Sequence, residues 1–341
     1  MIRHAAFAFA VLAGGLFLCG VAKSEQPLEI YFIDAEGGQA TLIVTPERHS
    51  LLIDTGWATN ASRIVAAAHD AGIKQIDYLW ITHFHNDHDG GAPELVQLMP
   101  VKTFVDHGTP NPEAILQSQE TSKAFDAYAQ ARGKAPHIEP RPGDRLPLHD
   151  IEAIVVSSAG ATLTAALPNA GEHNTTCQDH APPARDPLEN PRSTGVLIQY
   201  GKFRFLDVGD LTGEPLYRLA CPRDLIGPVD AYLVAHHGGP DAADPATFAA
   251  FKPRIAIMNN GLHKGGAPAT FQTLHHVHGL ENVWQLHISA DAGDANFPAA
   301  YVANPDESST YWIKLVANPD GSFRVLNQRT GKWQSYGARQ P

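Results

Sequence analysis

Between His83 and His88 the chain reads His-Phe-His-Asn-Asp-His, which puts three imidazoles and a carboxylate within six positions. Neutral nitrogen donors beside a hard oxygen donor make a ligand set suited to zinc or another first-row divalent ion. The spacing divides the set. On a strand-to-loop segment His83 and His85 can point to one side, while Asp87 and His88 turn toward a second position about 3.5 to 4 Å away, as in two-metal hydrolytic sites. A pair of ions at that separation polarises a phosphoryl or carbonyl oxygen and supplies a nucleophile at neutral pH. Asp210 and the doublet His236-His237 add donors farther along the chain, each just past a strand-like segment.

The elements that must position these residues follow one scheme, in which an apolar strand runs into polar residues. Gln75 to Thr82 is an apolar, β-prone segment that delivers the histidine loop, and Asp89-Gly-Gly-Ala-Pro93 with the helix-like Glu94 to Met99 follows it. Leu28 to Asp34, Ala40 to Thr45 and Ser50 to Asp54 read as strands, with Glu36-Gly37-Gly38 as a turn and Thr55-Gly56 as a stop. Ala61 to Ala71 is helical in composition, as is Asn111 to Arg132. Thr194 to Tyr200 and Lys202 to Val208 predict a hairpin about Gly201 that ends in Gly209-Asp210, and Ala231 to Ala235 runs straight into His236. Arg254 to Met258 leads likewise to Asn259-Asn260-Gly261, and Tyr311 to Val316 with Ser322 to Leu326 predicts a β-hairpin appendage. Strands followed by alternating helices and strands imply sheets covered by helices. The stretch from Ala159 to Arg192 is long, irregular and rich in proline, and such a loop in a compact domain commonly serves as a lid or binding loop.

With 341 residues, 43% hydrophobic and 18% charged, the composition is that of a globular protein. Met1 to His4, the apolar Ala5 to Leu18 and the small-x-small Ala22-Lys23-Ser24 read as a secretory leader removed after Ser24, so that residues 1–24 are a signal peptide. A lipid anchor at Cys19 is the competing reading, and Leu18 before it fits poorly. The mature protein is then expected in the periplasm or secreted, with no transmembrane segment. In that oxidising setting Cys177 and Cys221 are expected to form a disulfide, with Cys177 as a metal ligand the rival. The net charge of −11 and the absence of basic runs argue against strong nucleic-acid binding, leaving a small-molecule or cell-envelope substrate.

His83-x-His85-x-Asp87-His88, then Asp210, then His236, each at a strand end, together resemble the metallo-β-lactamase superfamily. Asp34-Ala-Glu-Gly-Gly-Gln-Ala40, Leu52-Ile-Asp-Thr-Gly56, His236-His-Gly-Gly239 and Asn259-Asn-Gly261 resemble more narrowly the branch that contains the hydrolase domain of competence-type DNA-uptake channels. That resemblance implies an α/β fold, an αββα sandwich of two mixed sheets with outer helices, over residues 25–288, with residues 289–341 a β-rich extension packed on the same domain. It implies two divalent ions, zinc before manganese or iron. His83 and His85 would hold one, Asp87, His88 and His236 the other, and Asp210 both, with a bridging hydroxide as nucleophile. The first ion lacks its usual third histidine. His173 and His180 are the candidates, His173 ahead, with His149 also in that interval. His237 is the alternative to His236 as ligand, and is otherwise expected to donate a hydrogen bond to substrate, as a catalytic residue beside Asp87. Asp54 is expected to hold a ligand imidazole or its loop, Asn260 and Lys264 to border the cleft as tentative substrate contacts, and Trp57 to line it. His275-His-Val-His278 reads as a polar helix end, and Trp80, Trp284 and Trp312 as core. The implied function is a secreted or periplasmic metal-dependent hydrolase of a phosphoester or phosphodiester. A lactam or lactone hydrolase and a non-catalytic metal-binding envelope protein are the alternatives.

Overall fold

Strands that are apolar at every position need cover on both faces. The computed structural model describes residue 1 and residues 26–180 and 187–340, so the expected leader and Cys19 lie, apart from Met1, outside the described residues. Among the described residues the strands are β1 (Leu28–Phe32), β2 (Thr41–Val44), β3 (Ser50–Ile53), β4 (Ile76–Trp80), β5 (Val101–Val105), β6 (His137–Ile138), β7 (Glu152–Ser158), β8 (Ala161–Thr162) and β9 (Gly195–Tyr200). They continue as β10 (Phe203–Asp207), β11 (Ala231–Leu233), β12 (Ile255–Met258), β13 (Asn282–His287), β14 (Val302–Asn304), β15 (Ile313–Ala317), β16 (Phe323–Asn327) and β17 (Lys332–Tyr336). They form two mixed sheets, one in the order β17-β16-β15-β1-β2-β3-β4-β5-β6 and one in the order β14-β13-β12-β11-β10-β9-β7-β8.

Period-two alternation sorts the apolar side chains into three layers. In β1 Ile30 and Phe32 face the second sheet, and in β10 and β12 Phe203, Phe205, Ile255 and Ile257 face back, which makes the central core. Phe32 and Phe205 meet edge to face across it at 5.6 Å. Each such fully buried side chain contributes roughly 1.5–3 kcal/mol. The alternate residues face outward. Tyr31, Leu52 and Leu79 pack beneath helices Ala61–Asp70, Ala92–Leu98 and Gln119–Arg132. Leu206, Ala256 and Met258 pack beneath helices Gly213–Ala220, Pro245–Phe251 and Pro268–His276. Helices therefore cover both outer faces, the αββα arrangement.

Two expectations are refined. The helical stretch 111–132 is two helices, Pro112–Gln117 and Gln119–Arg132, divided at Ser118, whose side chain accepts the Thr121 N–H at 3.1 Å and caps the second. The C-terminal hairpin carries a third strand, and β15 pairs antiparallel with β1, Leu28 opposite Ala317, so the last strands extend the first sheet. Cys177 and Cys221 form the expected disulfide, which excludes Cys177 as a metal ligand. No helix among the described residues is long and apolar enough to cross a membrane.

β3, β4 and β5 run parallel in one sheet, as do β10 to β13 in the other. Asp54, the histidine loop, Asp210, the His236-His237 doublet and Asn259-Asn260 all follow the carboxyl ends of such strands. Parallel register is what brings residues so far apart in the chain to one edge.

Candidate metal centre

Asp210, three residues past β10, is the hub. Its Oδ2 lies 3.1 Å from His88 Nε2, 3.2 Å from His237 Nε2, 3.8 Å from His236 Nε2 and 3.9 Å from His83 Nε2. His88 Nε2 and His237 Nε2 approach to 3.2 Å, and Asp87 Oδ2 is 3.5 and 3.1 Å from them. Asp87, His88, Asp210 and His237 thus form a tight, buried four-residue cluster. On its flank His83 Nε2 and His85 Nδ1 are 3.0 Å apart.

The histidine loop is held from below. Asp54, buried at the end of β3, accepts from Thr82 N and Thr82 Oγ1, each at 2.7 Å, and pairs with His88 Nδ1 at 2.7 Å. That carboxylate sets which imidazole nitrogen faces the cluster and at what angle, the support that metal-binding histidines commonly carry. The β1–β2 turn packs on the same loop. A Cβ on Gly38 would sit 2.4 Å from the Asp87 carbonyl oxygen, so no larger residue fits there.

The doublet after β11 departs from extended geometry. His236 (φ 49°, ψ 45°) and His237 (φ 53°, ψ 20°) are both left-handed, a conformation that costs of order 1–3 kcal/mol per residue when not glycine. Gly238 continues the turn at φ +74°, where a Cβ would meet Met258 Sδ at 1.9 Å. The turn aims both imidazoles toward Asp210. The expected choice of His236 as partner of Asp87 and His88 is corrected here, because His237 is the buried member of that cluster and His236 stands beside it with its side chain 30% exposed.

His173 does not reach the centre. It is exposed, its backbone bridges to Arg223, and the adjacent Asn174 ties the loop to the outer helices through Ala220 O (3.1 Å) and Ala246 O (2.8 Å). His180 pairs with Asp244 at 3.2 Å, and His149 is exposed. Asn260 is also corrected. It is fully buried and donates to Gly261 O and His287 O at 2.9 Å each, bracing the loop rather than lining the cleft. Lys264 does border the site. Its ammonium donates to Asp87 Oδ2 and, at 2.6 Å, to Gly37 O, and it lies 5.4 Å from the Trp57 ring.

The sequence model of the Metallo-beta-lactamase superfamily matches residues 33–167, the segment that carries β2 to β8 and the histidine loop. That segment belongs to the metallo-beta-lactamase superfamily. Among the superfamily relatives it resembles, ComE operon protein 3 of Bacillus subtilis (strain 168) is 25% identical over 264 residues, 72% of this chain and 30% of that protein. Competence protein ComA of Neisseria gonorrhoeae is 36% identical over 86 residues, 25% of this chain and 12% of that protein. Atrochrysone carboxyl ACP thioesterase of Aspergillus fumigatus is 38% identical over 68 residues, 18% of this chain and 15% of that protein. The chain spans less than a third of the length of each of these relatives.

The electrostatics of the site suit a cation. Burial would raise the Asp87 and Asp210 carboxyls, but His88 and His237 hold both well below the usual carboxylate range. Burial holds His83 well below, and His85 below, the ordinary imidazole value, which leaves them neutral donors. Asp210 Oδ1 is buried with no hydrogen-bond partner among the described residues. An orphaned carboxylate oxygen near the neutral imidazoles of His83 and His85 fits a divalent ion.

Several functional neighbours escaped the sequence reading. Asn190 places Nδ2 3.3 Å from His236 Nε2, and Asp241 holds His236 Nδ1 at 2.8 Å. Gln39 donates to both oxygens of Asp207, at 3.0 and 2.9 Å. Only Asp241, five residues past His236, gave a local signal. Burial pushes Asp207 up to about 7. Since its folded pKa exceeds the unfolded value, the stability it contributes is present in acid and lost as pH rises through about 7. In chelator-treated protein, unfolding free energy should therefore fall by about 2 kcal/mol from this group between about pH 5.5 and pH 8.5. Urea unfolding at the two pH values should show a shallower loss in Asp207→Asn, and an identical loss would refute the assignment.

Proposed function

We propose that this chain is a metal-dependent hydrolase acting on a phosphoester or phosphodiester, outside the cytoplasm. The observation that carries the hydrolase reading is the convergence of four imidazole nitrogens on Asp210 Oδ2 at 3.1 to 3.9 Å, with Asp87 beside them. His83 and His85 line one flank, Asp87, His88 and His237 the other, and Asp210 lies between. Two divalent ions held there would supply Lewis acidity toward the scissile group and a nucleophilic water at neutral pH.

The protein's own part is orientation and charge. Asp54 holds the His88 Nδ1 proton, so the lone pair at Nε2 faces inward. Asp87 stays ionised, held below the usual carboxylate range by His88 and His237, so its Oδ2 can serve as an anionic donor on that flank. Lys264, partly exposed beside Trp57, offers an ammonium to the anionic oxygens of a phosphoryl group, and this supports the phosphoester over a neutral substrate. The Cys177–Cys221 disulfide supports an oxidising compartment.

A second reading, acyl hydrolysis by the same centre, is favoured by the likeness to a relative named as a thioesterase. Purified protein assayed for metal content and for turnover of bis-p-nitrophenyl phosphate, p-nitrophenyl phosphorylcholine, nitrocefin and an acyl thioester, with and without chelator, separates the two. Chelator-sensitive phosphoester cleavage is expected. Cleavage of nitrocefin or the thioester alone would replace it with the acyl reading, and no turnover of any substrate would sink the hydrolase.

A further inference from the structure

The first metal position in this chain lacks its expected third histidine, and the part of the long loop that carries His173 and His180 docks on the outer helices instead. We propose that the adjacent histidines are divided between the two ions, His237 serving the position of Asp87 and His88, and His236 completing the position of His83 and His85, with Asp210 shared. The assignment rests on the dinuclear reading above.

Three observations support it. His236 Nε2 and His83 Nε2 stand at nearly the same distance from Asp210 Oδ2, 3.8 and 3.9 Å, and His83 Nε2 is 3.0 Å from His85 Nδ1. Donors on a tetrahedral zinc with bonds of 2.0–2.1 Å lie about 3.3 to 3.5 Å apart, within the span of these separations. His236 is also oriented as a ligand is. Its Nδ1 is held by both Asp241 oxygens at 2.8 and 2.9 Å, the same support that Asp54 gives His88, so Nε2 carries the lone pair toward the centre. Asn190 Nδ2 lies 3.3 Å from that nitrogen.

The third observation is the backbone. An extended strand sends neighbouring side chains to opposite faces, whereas the two successive left-handed residues here send both imidazoles to one carboxylate. Holding two non-glycine residues in that conformation costs several kcal/mol in the absence of a compensating role. Delivering one ligand to each of two ions is such a role. His173 and His180 belong instead to the loop stapled by Cys177 to the outer helices.

The test is the metal content of zinc-loaded, desalted protein, with near-wild-type far-UV circular dichroism required of each variant. Wild type should hold two ions per chain, His236→Ala one, and His173→Ala and His180→Ala two. Asp241→Asn should weaken the more loosely held ion 10- to 100-fold in chelator competition. In cobalt-loaded protein, His236→Cys should gain a thiolate charge-transfer band that His173→Cys lacks, a direct sign of coordination independent of turnover. Two ions in wild type and two, equally tight, in His236→Ala would overturn the assignment alone. So would loss of an ion in His173→Ala or His180→Ala. A wild type that binds a single ion would overturn the dinuclear reading and this assignment with it.

Discussion

Asp210→Ala is expected to lower chelator-sensitive turnover by ~10³-fold or more, the scale seen when a group that acts with the whole of a catalytic unit is removed. The reason is geometric. Asp210 Oδ2 lies within 4 Å of His83, His88, His236 and His237 at once, so its loss unlinks both flanks of the cluster. Fewer than one ion per chain should remain after desalting. The fold should survive, because Asp210 follows β10 and takes no part in its ladder with β9, which ends at Asp207 opposite Val196. Turnover within a few-fold of wild type in a folded Asp210→Ala protein would remove the proposed function.

Replacing both Cys177 and Cys221 by serine should cost about 4 kcal/mol, the loop-closure entropy of a cross-link spanning 44 residues. The bridge ties the end of helix Gly213–Ala220 to the loop that carries His173, away from the metal cluster, so chelator-sensitive turnover at room temperature should stay within about twofold. Urea unfolding of the double variant against the oxidised wild type measures the first effect. Unchanged midpoints would show that the bridge adds no stability. Thiol counting on the denatured, unreduced protein should find neither cysteine free.

Much of this is legible along the chain, because the signals are local. The apolar runs of β1, β10 and β12 are visible in the sequence and mark these segments as buried strands before any contact is known. The six-residue histidine loop carries its own chemistry, since four donors so closely spaced have few other uses. Asp54 as a support for a ligand imidazole was also readable from its place at a strand end, and its bond to His88 Nδ1 at 2.7 Å realises it.

The misplacements share one cause. His173 is a histidine in the expected interval of a long loop, yet its part of the loop is anchored to the outer helices through Asn174 and Cys177. Asn260 follows a strand end like the ligands do, but its amide turns inward to two carbonyls. Where a loop docks and where an amide turns are settled by long-range packing, for which no periodicity exists.

By itself the sequence determined the layered α/β architecture, the disulfide pair and the kind of atoms that gather at one sheet edge, since each follows from residue type and short spacing. The tertiary structure alone decided how those atoms are shared. Parallel register set Asp210 against a loop more than a hundred residues earlier, and Asp241 and Asp54 selected the nitrogen that each partner histidine presents. The left-handed turn at His236 and His237 aimed neighbouring side chains to one place, a backbone choice that ordinary histidine propensities disfavour and that only its surroundings hold.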